Sequence, residues 1–377
     1  MSNPFPRNYH HARASFLTAA HQAHARLSSY FHPLAGPEGE TLATDVAWIG
    51  EEDAHWVLVL LSATHGVEGF SGSAAQVDCL QQPIQLPPGV AIVLIHAVNP
   101  HGFAWLRRVN EDGVDLNRNF IDFAQPLPIN TGYHQLAESI LPRSLDAVCL
   151  HHCDLQLQTF REKYGTTVYE QALSAGQFHH PHGLFYGGTA PTWSRQTCET
   201  IIHDFQLAKR KRLALIDFHT GIGPYGYGEP ICDHPPGSLG VTLARQWYGE
   251  AVTEPALGTS ISVAKHGLSD FGWINLIGDP LVFIALEFGT YPFDSMLQAL
   301  RADHWLHAKG VIDWNAPETH AIKAAIRQHF YPDHDDWRAR VLTRSRQSIQ
   351  QALTGLANEA RRSTRSITHF ASLQYGE

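Results

Sequence analysis

Four runs of this chain are so uniformly apolar that strands buried on both faces accommodate them best, and each run ends in residues that can do chemistry. Trp56–Leu61 leads into Thr64-His65-Gly66-Val67-Glu68-Gly69, and residues 89–95 lead into Asn99-Pro100-His101-Gly102. Residues 212–216 run into Asp217-Phe218-His219-Thr220, and residues 281–286 into Glu287-Phe288-Gly289-Thr290. Short Val/Ile/Leu-rich runs alternating with helix-length segments mark parallel strands covered on both sides. The expected fold is therefore α/β: a mixed, mainly parallel central sheet with helices on both faces and extra N- and C-terminal helices. In such sheets ligands bind beyond the carboxyl ends of the strands. One shared site explains the four strand ends better than four coincidences.

Around that frame, residues 9–31 read as an amphipathic helix with Phe16, Leu17, Ala20, Leu27 and Phe31 on one face, stopped by Pro33, and residues 34–44 as a loop. Residues 121–211 form a long, largely helical insertion, and residues 336–362 one long helix. The expected organisation is a single catalytic domain over 1–315 and a C-terminal helical extension over 316–377 that packs on it. The last helix carries Val341, Leu342, Ile349, Leu353 and Leu356 on one side and arginines on the other, which suits either packing or a subunit contact; a homo-oligomer stays open. The net charge of -9 disfavours nucleic acid and anionic membrane surfaces as partners. The five cysteines lack a disulfide-like spacing, no apolar leader opens the chain, and no run is long enough to span a bilayer. A cytoplasmic location is the corresponding expectation.

His65 and Glu68, three apart on a turn, offer two good zinc ligands, although that spacing alone is a weak signal. His219 at the end of another strand completes a three-ligand zinc site, one ion per chain, with a fourth position for water. Asp217 shares its strand face with His219 and is either its partner or a structural group. Glu287 closes a wholly apolar strand, where an unpartnered carboxylate is costly, so it is the candidate general base and then acid. Arg108 is placed to stabilise an oxyanion, and Asn117 with Arg118 to hold a substrate carboxylate. The run Cys149-Leu150-His151-His152-Cys153-Asp154 looks metal-binding, but its ligands are packed too closely for one tetrahedral ion and a helix face accounts for the spacing.

These motifs resemble the zinc carboxypeptidase superfamily (peptidase family M14), and within it a bacterial branch designated DUF2817. The resemblance rests on His65-x-x-Glu68, Asn99-Pro100-x-Gly102, Asp217-Phe218-His219-Thr220 and Glu287-Phe288-Gly289-Thr290. Its most specific part is Arg108-x-Asn110-x-x-Gly113-Val114-Asp115-Leu116-Asn117-Arg118-Asn119-Phe120. It implies zinc on His65, Glu68 and His219, carbonyl polarisation by Arg108, carboxylate binding by Asn117 and Arg118, and catalysis by Glu287. The implied activity is hydrolysis of an amide bond next to a free carboxylate, in a small peptide or, as in aspartoacylase-like deacylases, in an N-acyl amino acid. A metal- or ligand-binding protein without turnover is the third reading. The superfamily's mobile tyrosine has no clear counterpart here; Tyr225, Tyr227 and Tyr291 are candidates by position.

Overall fold

The computed structural model describes residues 3–82 and 85–374. One sheet holds β1 (Arg26–Ala35), β2 (Thr41–Ile49), β3 (Trp56–Leu61), β4 (Val90–His96), β5 (Arg212–Tyr225), β6 (Gly228–Ile231) and β7 (Leu281–Gly289). Their order is β1-β2-β4-β3-β5-β7-β6. The four central strands are parallel, whereas β1, β2 and β6 run antiparallel to their neighbours. The helices are α1 (Tyr9–Gln22), α2 (Gly69–Gln81), α3 (Pro100–Ala104), α4 (Leu116–Asn119), α5 (Thr131–Ile140), α6 (Ala147–Tyr164) and α7 (Thr166–Ser174). They continue with α8 (Trp193–Asp204), α9 (Leu239–Tyr248), α10 (Ser269–Ile277), α11 (Phe293–Ala308), α12 (Pro317–Phe330) and α13 (Asp335–Gln374).

Successive side chains of a strand face opposite ways, so a run apolar at every position needs a cover on each side. Val57, Val59, Leu61, Val93, Ile95, Leu215 and Phe283 form one face, closed by Ile201 of α8 and Trp273 and Ile277 of α10. Leu58, Leu60, Leu94, Ile216 and Ile284 form the other, closed by Phe16, Phe70, Ala244, Val341 and Leu356 from α1, α2, α9 and α13. Each such side chain, fully buried, contributes about 1.5–3 kcal/mol before the entropy of ordering it.

Two readings of the N-terminal region are corrected. The first helix ends at Gln22 rather than near 31, with residues 26–35 forming the edge strand β1, and the loop expected over 34–44 shortens to the turn before β2 begins at Thr41. The stop is a Schellman turn in which His24, at φ 54°, takes the left-handed position, with His24 N–H on His21 O and Ala25 N–H on Ala20 O. Glycine usually occupies that position, so the sequence carried little warning. Leu27 and Phe31 are exposed on the strand, and Pro33 is tolerated because it lies at an edge, inside the register shift between Phe31 and Ala35. The four-residue strand β6 just after β5 was also not expected from the sequence.

Residues 121–211 carry α5 to α8, and a third apolar cluster joins this region to the helices after β7. Tyr133, Leu173, Leu184 and Phe185 pack there with Met296, Leu300, Ile326 and Phe330. The chain after 316 braces the strand ends directly: Phe330 O accepts from Thr220 Oγ1 at 2.7 Å, and Trp337 Nε1 donates to Gly289 O at 2.9 Å. The Cys149–Asp154 run lies on α6 with His151 and His152 exposed, and it forms no metal-binding group among the described residues. Among those residues, too, no helix is long and apolar enough to cross a membrane.

Candidate metal centre

The carboxyl ends of the central strands converge as their sequence endings imply. After β3 the chain turns through His65 into the short helical turn Gly66–Glu68, which runs on into α2. That turn is pressed against the Asn99–Gly102 turn after β4. A Cβ on Gly66 would sit 2.0 Å from the carbonyl carbon of Gly102, so glycine alone permits this approach. On the other side, β5 and β7 pair with His219 directly opposite Glu287.

Among the described residues, His65, Glu68 and His219 form the one group whose arrangement could hold a metal ion, their ligand atoms all within 4.8 Å of one another. His65 Nδ1 is 2.9 Å from Glu68 Oε1, His219 Nδ1 is 3.0 Å from Glu68 Oε2, and the two Nδ1 atoms are 3.2 Å apart. All three residues are buried. The remaining imidazole nitrogens each face a carboxylate: His65 Nε2 is 3.1 Å from Asp115 Oδ1, and His219 Nε2 is 2.9 Å from Asp217 Oδ2, close enough for an ion pair but out of hydrogen-bond alignment. Asp217 is itself held by Thr64 Oγ1. Two imidazoles oriented by carboxylates, with a third carboxylate between them, are a donor set suited to zinc. The residues fit the ion that the sequence implies.

Charge compensation in this cluster is tight. Burial opposes ionisation of Glu68, yet His65, His219 and Arg108 together hold its carboxyl well below the usual range. Asp115 is likewise held down, with Arg108 and His65 outweighing burial. His219 is pushed well above the usual imidazole value, because Asp217 and Glu68 outweigh its burial. Glu287 moves the other way: burial and the nearby Glu68 raise it to about 7. Its Oε1 accepts from Ile222 N–H at 3.2 Å.

The arginines are engaged in ways that the sequence did not reveal. Arg108 donates to Glu68 Oε1 at 2.7 Å and to Asp115 Oδ2 at 3.2 Å, while its guanidinium lies over the Phe185 ring. Arg107 points elsewhere, pairing with Asp303 at 3.0 Å. Arg118 is buried and donates to the carbonyls of Asn117 and Ser174, leaving Nε without a partner. Asn117 Oδ1 accepts from Ser269 N–H, which ties the loop to the start of α10. Arg108, Asn117, Arg118, His65, His219 and Glu287 nevertheless all line one cavity of about 540 Å³. Tyr225 and Tyr291 line it as well, whereas Tyr227 is exposed on the loop beyond.

Asp115 was missed as a functional residue; its one signal was a lone acid inside the Asn/Arg-rich motif. The family model described as "Protein of unknown function (DUF2817)" matches residues 5–344 of the chain. The chain belongs to the DUF2817 family. No curated protein matches it. Among solved structures, this DUF2817 chain is similar to thrombin activatable fibrinolysis inhibitor, at 12% identity and a TM-score of 0.44, covering 93% of this chain and 74% of that one. It is also similar to a metallo-carboxypeptidase from Pseudomonas aeruginosa, at 11% identity and a TM-score of 0.39, covering 88% and 68%. An aspartoacylase family protein from Mesorhizobium loti is similar at 13% identity and a TM-score of 0.36, covering 78% and 69%.

Proposed function

We propose that this DUF2817 protein is a zinc-dependent hydrolase that cleaves an amide bond next to a free carboxylate, in a small peptide or an N-acyl amino acid. The observation that carries the proposal is the pairing of His219 with Glu287 across β5 and β7, which sets a carboxylate raised to about 7 beside the His65–Glu68–His219 group. Zinc held by those three residues would lower the pKa of water and polarise a carbonyl. Glu287 takes up a proton and delivers it to the leaving nitrogen, a role suited to a carboxyl that titrates near neutrality. Asp115 and Asp217 keep both imidazoles oriented with Nδ1 toward the ion. Arg108 supplies positive charge where the carbonyl oxygen becomes anionic. Asn117 and Arg118 bind the substrate carboxylate, Arg118 turning toward it from its backbone partners.

Metal analysis of the purified wild type beside His65→Ala, with hydrolysis of N-acyl amino acids and blocked dipeptides, tests this reading. About one zinc per chain, lost in the variant together with hydrolysis, is the expected result. A wild type that binds no zinc when it is supplied would overturn the reading.

A further inference from the structure

The cavity extends well past the residues assigned above. Its wall also carries Asp233, Lys265 and Asp270, with Ile231, Leu268 and Ala285. None of the three charges is neutralised by direct contact. Asp270 is 3% exposed, and its Oδ2 has no hydrogen-bond partner. Asp233 makes no side-chain hydrogen bond or ion pair with the described residues, and Lys265 and Arg118 act on it through charge alone. Lys265 Nζ is turned to neutral oxygens of its own segment, Ser262 Oγ and Val263 O, rather than to either carboxylate. These charges nonetheless feel one another. Burial raises Asp270, and Asp233 pushes it further; burial also raises Asp233, against the pull of Lys265 and Arg118.

Ionisable groups of both signs beside apolar walls are costly to charge until a ligand completes them, which is why burial drives all three toward their neutral forms. An apolar side chain entering here would strip all three of water and return nothing. A purely cationic group would satisfy the carboxylates while facing Lys265, and a purely anionic one would meet two carboxylates. A group carrying an ammonium and a carboxylate together can satisfy both ends.

We infer that the Asp233–Lys265–Asp270 end of the cavity is a subsite for a dipolar substrate side chain, its ammonium set between the two aspartates and its carboxylate on Lys265. The inference rests on the proposed hydrolysis next to a free carboxylate. It adds that the residue released from the amide carries such a side chain, so the substrate bears charge at both its backbone and its side-chain end.

The test is made with the zinc-loaded full chain and four benzoylglycyl dipeptides ending in phenylalanine, lysine, glutamate or Nε-carboxymethyl-lysine, whose side chain ends in both charges. The carboxymethyl-lysine substrate is expected to exceed the other three in kcat/KM by about tenfold or more, the range that buried polar recognition supplies. Asp233→Asn and Lys265→Met should each reduce that preference, measured as a ratio to the phenylalanine substrate, by about tenfold. Lys265→Met should in addition favour lysine over glutamate. A lysine substrate equal to or better than carboxymethyl-lysine, or a preference that neither variant alters, overturns the subsite. If none of the four is hydrolysed, the failure belongs to the proposed reaction, and calorimetric binding of the four intact peptides decides the subsite by the same ratios.

Discussion

His65 Nε2 lies 3.1 Å from Asp115 Oδ1, and that contact joins two stretches of chain with 49 residues between them at the candidate metal centre. Asp115 and Arg108 Nη2 both approach the outer nitrogen of the ring, so Nδ1 is left facing Glu68 and His219. Asp115 also accepts from Arg108 Nε and caps α4 through Asn117 N–H, so one carboxylate joins His65, Arg108 and the start of α4.

Replacing that carboxylate should therefore reach the metal without touching it. Asp115→Asn is expected to weaken zinc binding by about 10- to 100-fold, the usual cost of losing a carboxylate behind a ligating histidine. A chelator competition titration measures it. Unchanged affinity would mean that Asp115 serves only Arg108 and the loop.

Glu287 stands outside the group of ligand atoms, so its loss should separate chemistry from binding. Glu287→Gln is expected to keep zinc and lower kcat by about 100- to 10,000-fold, the range of general acid–base catalysis. A variant that retains most of its kcat would remove Glu287 from the proton transfers.

A buried ion cluster beneath the arginine motif predicts how stability depends on pH. Asp303 is paired with Arg107 and Lys323, and although burial opposes its ionisation, those two cations hold its carboxyl well below the usual range. A carboxyl depressed in the folded state contributes stability above its unfolded pKa and loses it as pH falls toward the folded value. Urea denaturation should therefore show stability dropping below about pH 4. Asp303→Asn should flatten that dependence and cost about 3–5 kcal/mol at neutral pH, because Arg107 and Lys323 are left buried without their anion.

The C-terminal helices should matter to the site as well as to the core. Trp337→Phe shrinks a fully buried indole to a phenyl ring and removes the Nε1 bond to Gly289 O, two residues beyond Glu287. The expected loss is about 1–3 kcal/mol of stability, read by denaturant titration. A fall in kcat larger than the fall in zinc affinity would accompany it if Trp337 steadies the end of β7.

What the sequence determined by itself was the set of strand endings. Apolar runs bounded by Gly and Pro are local signals, and a His, a Glu or an Asn placed just past such a run is carried to the same edge of a parallel sheet whatever the remaining chain does. That is why the His65, Glu68 and His219 group and the facing position of Glu287 were legible before any coordinates. The tertiary structure decided everything that depends on partners far apart in the chain. A left-handed histidine ended α1 and released residues 26–35 to pair with β2, a choice that no local pattern encodes. The carbonyls of Asn117 and Ser174 took the Arg118 guanidinium, and Asp115 reached back to His65. Such pairings follow from which buried polar groups meet when the helices close over the sheet, where most must pair with one another because water is excluded.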